Sequence, residues 1–498
     1  MKKCTILYLP LDERPCNAEF VCKIAHGTPV EVVCTGAEIL GDKKQPADFG
    51  KVRKFLVDNV AKADACVISV DMLLYGGIVP SRLHEMTEAQ LTERLQVLAE
   101  LKKINTYVKI YAFSLIMRCP CYSSDDEEPA YYERCGREIF LSGQVKHKLR
   151  EGLLTEAQAQ ALLAGYKTVT GSDIDDFEKR RATNLAMLLK LLADNPCDYF
   201  VVPQDDSAEY GYTTMDRLAV KKFVTDNGLP DVPMYPGADE VGMTLTSRAV
   251  TDFYGKHPQV YCHWTNERAQ NVTPLYEDRP VGKTVPVQLA VAGCAETSDE
   301  SACDIDLFLN YPTEKQVEAS ELPVQGYKER NLDKFCTDAL SVLRQNKVVA
   351  IADGGYCNGG DVELLQMLSG HVDLTDIPAY AGWNTSSNTL GTAICEAVFV
   401  WLFGQTEQSK LFVAERYAED AGYCGYVRRY MCDNVLSEWG LDYFHADGSS
   451  GKVAARVAQE LNAFLADKLP QVAAKYKVSH CSMPWRRMFE VRLDMDKI

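Results

Sequence analysis

Tyr199-Phe200-Val201-Val202-Pro203-Gln204-Asp205-Asp206-Ser207-Ala208-Glu209-Tyr210-Gly211 is the stretch on which the fold is read, because it turns within a few residues from an apolar run to carboxylates. The run has the length and β-branched content of a buried strand. The acidic tract after it is a strand-end loop leading to a helix near Thr213. The same transition recurs along the chain. Strands are expected at residues 5–9, 66–70, 108–113, 199–202, 233–235, 285–292, 348–352 and 377–380, and the runs 30–34 and 305–309 also fit. Between them lie helical patterns with clear starts. Thr87 and Gln90 form a capping box ahead of Leu91, Leu95, Leu98 and Leu101, and Thr155 with Gln158 repeats the device.

Strands alternating with helices imply an α/β fold with parallel strands. Two architectures fit. One is a (β/α)8-like barrel over residues 1–402, with a charged helical insertion at about 120–185 and a mainly helical C-terminal region, 403–498. The other is two doubly wound parallel-sheet domains dividing near Arg279-Pro280. In both, ligands belong at the carboxyl ends of the strands.

Composition narrows the class. The 498 residues are 46% hydrophobic and 25% charged, an ordinary globular balance. A net charge of −17 disfavours nucleic acid or an anionic membrane as partner. No apolar stretch approaches the ~20 residues that span a bilayer, and the first apolar run is cut too early for a secretion signal. The 18 cysteines are scattered, many within apolar runs, as reduced buried thiols are. These features give the expectation of a soluble cytoplasmic protein. The C-terminal helices leave room for a homo-oligomer.

Seven strand ends run into polar residues. Asp12 and Arg14 follow the first, Asp71 and Tyr75 the second, Ser114 through Arg118 the third, Asp205 and Asp206 the fourth, and Asp239 and Glu240 the fifth. Asp353 and Asn358 follow a later strand, and Trp383 and Asn384 the last. Turns use Asp, Asn and Gly for purely local reasons, so one such loop means little, whereas seven point to a site. Adjacent carboxylates repel, which raises one pKa and leaves the other ionised; that split supplies a general acid beside an anionic stabiliser. The plainer reading has Asp206 or Ser207 capping a helix and Asp205 paired with an arginine. Trp383 offers a flat apolar face for a sugar ring and Asn384 an amide for its hydroxyls, or else Trp383 is a core residue. Asp12 and Arg14 bind ligand or pair as scaffold. The glycine-rich stretch 354–360 lacks the order of a nucleotide loop, and neither G-x-S-x-G nor H-E-x-x-H occurs.

The segments Tyr8-Leu9-Pro10-Leu11-Asp12-Glu13-Arg14-Pro15, Ser69 through Arg82, and Tyr380-Ala381-Gly382-Trp383-Asn384-Thr385 resemble a bacterial family catalogued as domain of unknown function 4127. That resemblance implies a cytosolic bacterial protein and brings no activity. The Asp205-Asp206 pair also resembles the dyad after the fourth strand of O-GlcNAcase-type glycosidases. By that likeness Asp205 would orient the substrate's acetamido group and Asp206 would transfer the proton. The resulting expectation is a hydrolase of a small intracellular glycan or amino-sugar glycoside that needs no cofactor. Its catalytic residues would be Asp205 and Asp206. Its binding residues would be Asp12, Arg14, Asp71, Tyr75, Asp239, Glu240, Asp353, Asn358, Trp383 and Asn384. The alternatives are a Mg²⁺- or Mn²⁺-dependent phosphohydrolase, lyase or aldolase, because hard cations take carboxylate and amide oxygens, and a non-catalytic sugar-binding protein.

Overall fold

The computed structural model describes residues 2–321 and 329–498. The first six strands are β1 (Cys4–Leu9), β2 (Val30–Cys34), β3 (Ala65–Ser69), β4 (Lys109–Phe113), β5 (Tyr199–Gln204) and β6 (Met234–Pro236). They form one parallel sheet in the order β2-β1-β3-β4-β5-β6. A second parallel sheet holds β7 (Gln259–Trp264), β8 (Ala295–Glu296), β9 (Ile305–Asn310), β10 (Val348–Asp353) and β11 (Ala379–Ala381), in the order β11-β10-β9-β7-β8. Counted from its own first strand, that order is 2-1-3-4-5, the order of the first five strands of the first sheet. The molecule repeats one doubly wound topology.

Both sheets have free edges, β2 and β6 in one and β11 and β8 in the other, so the strands do not close into the single barrel that was one expectation. The two-sheet alternative fits, but the second sheet begins with β7, ahead of the boundary expected near Arg279-Pro280. After β6, helix Val241–Tyr254 carries the chain to a new sheet instead of returning it to the old edge. A second expectation also fails. Residues 285–292 are not a strand but lie in or beside helix Val281–Val291, whose buried Val281, Thr284, Val285, Gln288, Leu289 and Val291 follow helical spacing. Local apolar content misled there, and period was the better guide. The segment expected as an insertion holds helices Tyr132–Arg150, Glu156–Leu163 and Gly171–Asp194. The C-terminal region adds an antiparallel pair, β12 (Tyr476–Ser482) and β13 (Arg492–Lys497), to its helices and packs on the second sheet.

Two helices join the halves. Val241–Tyr254 lies against β3 and β4, helix Ser386–Phe403 lies against β10 and β11, and the two pack on each other. Ser386–Phe403 is buried on nearly every side, as a helix without a polar face must be. A Cβ at Gly391 would collide with Cβ and Cγ of Glu240, so glycine there sets how closely the helices approach. Among the described residues, no helix is long and apolar enough to cross a membrane. Cys22 and Cys34 are joined as a disulfide, and the other 16 cysteines are free.

Candidate functional site

A cavity of about 680 Å³ opens where the carboxyl ends of both sheets meet. In a doubly wound sheet the crevice lies where strand order reverses, here between β1 and β3 and between β7 and β9. Loops from all four strands reach the cavity: Arg14 follows β1, Arg82 follows β3, Glu277 follows β7 and Glu318 follows β9. Arg118 comes from the loop after β4, Asp205 and Asp206 from β5, Asp239 from β6, Asn358 from β10, and Asn384 and Asn388 from β11. Arg428, Tyr443, Arg487 and Phe489 close it from the C-terminal region.

The acid pair sits in a lattice of arginines. Asp205 Oδ2 accepts from Arg82 Nη2 at 2.7 Å, and Asp206 Oδ2 accepts from Arg118 Nη1 at 3.1 Å. Arg82 also meets Glu127 at 2.9 Å, Arg118 meets Glu128 at 2.8 Å, and Arg487 meets Asp126 at 2.8 Å and Glu127 closer still. Burial alone would raise the Glu127 carboxyl, but Arg118, Arg487 and Arg82 hold it well below the ordinary range. Asp206 behaves oppositely. Burial, then the charge of Asp205, push it up to about 7, and the pull of Arg118 and Arg82 does not cancel that rise.

Backbone strain marks the same place. Asp206, Tyr276, Asn358 and Asn384 have φ of 32°, 65°, 58° and 52°, in the left-handed region that disfavours side chains. These four of the nine such non-glycine residues among the described residues line one cavity, which is where strain held by the surrounding fold collects in functional sites.

The opposite wall holds groups with spare bonding capacity. Glu277 Oε1 accepts from Ser387 N and Oγ at 2.8 and 2.9 Å, while its buried Oε2 has no hydrogen-bond partner. Burial pushes Glu277 up to about 8. Asn358 Nδ2 donates to Glu318 at 2.9 Å, but Asn358 Oδ1 and Asn388 Oδ1 are buried without partners. Buried polar atoms are ordinarily bonded, so three orphaned oxygens on residues of one cavity wall set that wall apart, each oxygen being shut off from the open space itself. Exposed rings of Tyr122, Tyr276 and Phe444 complete the wall.

Of the residues singled out in the sequence, Arg14, Asp205, Asp206, Asp239, Asn358 and Asn384 line the cavity. Arg14 bridges Asp12 and Asp239, each at 2.6 Å, and Asn384 Nδ2 donates to Asp239 at 3.2 Å, tying the two sheets together. Asp12 lies behind Arg14 and does not line the space. Five others also stay outside it. Asp71 is buried, accepts from Leu115 N at 2.9 Å and is pushed up to about 7 by burial. Tyr75 stacks on His84, and Glu240 accepts from Ala238 N at 3.0 Å beside Gly391. Asp353 is enclosed by its own loop together with Asn310 and Tyr380 of the neighbouring strands. Trp383, read as a sugar platform, instead donates from its indole to Thr392 at 3.0 Å and meets Phe20 edge-on in the core.

Sequence reading passed over Arg82, Arg118, Glu127, Glu277, Arg428 and Arg487. Arg82 and Arg118 had a signal, since both stand in strand-end loops, whereas Glu277 and Arg487 had none. Among the described residues, one group offers three metal-type ligand atoms within 4.8 Å of one another: His263 on β7, Asp306 on β9 and Glu300 in the short helix Glu300–Ala302 before β9. None of the three lines the cavity, and Lys347 already lies 3.6 Å from Asp306.

A family described as "Protein of unknown function (DUF4127)" matches the chain over residues 6–494. Comparison with curated proteins finds no match.

Proposed function

Because this chain belongs to the DUF4127 family over nearly its whole length, and that family's description carries no reaction, we propose from the cavity alone that the protein is a glycoside hydrolase. Asp206 acts as the proton-transfer residue and Asp205 as the fixed anionic partner. One observation carries this reading: a carboxyl pushed up to about 7 inside a ligand-sized cavity, beside a second carboxylate clamped by Arg82. A general acid is most effective when its pKa lies near the working pH. Tyr122, Tyr276 and Phe444 supply the flat faces first sought in Trp383.

In this mechanism the protonated Asp206 donates to the glycosidic oxygen as the bond to the anomeric carbon breaks. Asp205 stabilises the positive charge that develops, or orients an acetamido group of the substrate as internal nucleophile. Asp206, now ionised, then takes a proton from the attacking water. The test is turnover of a panel of alkyl and 4-nitrophenyl glycosides by wild-type protein and Asp206→Asn. The variant should lose about 10²–10⁴-fold on the alkyl glycosides and less on nitrophenyl ones, whose leaving group needs little protonation. No turnover of any glycoside by the wild type, or equal turnover by both proteins, rejects the assignment.

A further inference from the structure

We infer that the ligand of this cavity carries an anionic group, a carboxylate or a phosphate, and that Arg428 receives it. Six arginines line the space. Five of them are neutralised by carboxylates: Arg14 by Asp12 and Asp239, Arg82 by Glu127 and Asp205, Arg118 by Glu128 and Asp206, Arg429 by Asp433, and Arg487 by Asp126 and Glu490. Arg428 differs. Its hydrogen bonds run to main-chain carbonyls: Nη1 donates to Phe489 O at 2.7 Å, and Nη2 to Asn358 O and Cys424 O at 3.0 and 3.3 Å. Among the described residues, no carboxylate forms an ion pair with it.

Carbonyl dipoles fix the plane of a guanidinium but leave its unit charge standing. Five N–H groups set against three hydrogen bonds also leave two donors unused. The carboxylate that bears on Arg428 electrostatically, Glu318, is itself occupied, accepting from the Tyr276 hydroxyl at 2.7 Å and from Asn358 Nδ2 at 2.9 Å. Asn358 thus anchors Arg428 through its carbonyl. In a chain of net charge −17, a half-buried and unneutralised guanidinium facing a cavity selects an anion, and its planar fork matches carboxylate and phosphate oxygens. Combined with the hydrolase reading, on which only the sugar part rests, this makes the substrate an acidic sugar: a uronate or a sugar phosphate.

Calorimetry at fixed ionic strength tests this, with glucose, galactose and mannose each titrated against its uronate and its 6-phosphate. At least one acid should bind about tenfold or more tighter than its neutral parent, the scale of one charge-assisted pair. A uronate preference assigns a carboxylate, and a 6-phosphate preference assigns a phosphate. Arg428→Gln, checked for folding by circular dichroism, should erase the preference, and Asp206→Asn should keep it. The wild-type comparison stands by itself if Arg428→Gln does not fold. Binding of no acid, neutral sugars bound as tightly, or a preference that survives Arg428→Gln overturns the inference. Because binding is read without turnover, failure of hydrolysis leaves this result intact, and the converse also holds.

Discussion

The loop after β5 and the loop after β10 look alike in sequence, each an aspartate-bearing tract at the end of a buried strand, yet the fold uses them differently. Asp353, after β10, is fully buried. It accepts from Asn310 Nδ2 at 2.7 Å, Gly355 N at 3.4 Å, Asp361 N at 2.6 Å and the Tyr380 hydroxyl at 2.8 Å. Asp361 is bound in turn by Arg330 at 2.5 Å. Asp206, after β5, has a side chain 22% exposed to the cavity, a left-handed backbone and one hydrogen bond among the described residues, from Arg118. A carboxylate whose acceptor sites are filled by its own loop and by the neighbouring strands shapes the backbone. One that keeps capacity and faces open space is available for chemistry.

Breaking the exposed side should have the largest effect. Asp206→Asn is expected to lower turnover of alkyl glycosides by about 10²–10⁴-fold while the thermal midpoint barely moves, because little of the fold depends on that carboxyl. Asp353→Ala should do the reverse. Four donors would lose their acceptor inside the core, at a cost of about 2–5 kcal/mol read from urea unfolding, and activity would fall only as folded protein is lost. A midpoint unchanged by Asp353→Ala would break the contrast.

Two smaller effects sharpen it. The charge of Asp205 helps raise Asp206, so Asp205→Asn should move the alkaline limb of the rate profile to lower pH, with a smaller rate loss than Asp206→Asn. Asp71 tests the scaffold side. Its folded value of about 7 lies above the ordinary 3.8, so the folded protein keeps a proton that the unfolded chain has released. Stability from this group is complete below about pH 4 and is lost as pH rises through 7. Asp71→Asn, which has no proton to lose, should flatten the fall in unfolding free energy between pH 4 and 7 and leave activity unchanged. A slope equal to that of the wild type would contradict the buried, proton-bearing role.

Much of the fold was legible because strands and their polar ends are local. Runs such as 348–352 and the acid pair after residue 204 announce themselves. The doubled 2-1-3-4-5 topology was not, since strand order is a long-range property and the two halves share no visible sequence repeat. Nor could local reading separate Asp353 from Asp206, because the donors that fill one and spare the other come from residues as distant as Asn310 and Tyr380. Trp383 shows the same limit, its indole being claimed by Thr392 nine positions on. The arginines that define the cavity's charge arrive from loops and from the C-terminal region, and Arg487 meets Glu127 across 360 residues.

The central claim is that Asp206 holds a working proton near neutrality. It is tested most directly by the pH dependence of kcat/KM on the best alkyl glycoside. The claim predicts a rate that falls about tenfold per pH unit above roughly 7, with that limb absent from the residual activity of Asp206→Asn. A profile flat from pH 5 to about 9, or an alkaline limb that persists unchanged in Asp206→Asn, would contradict it.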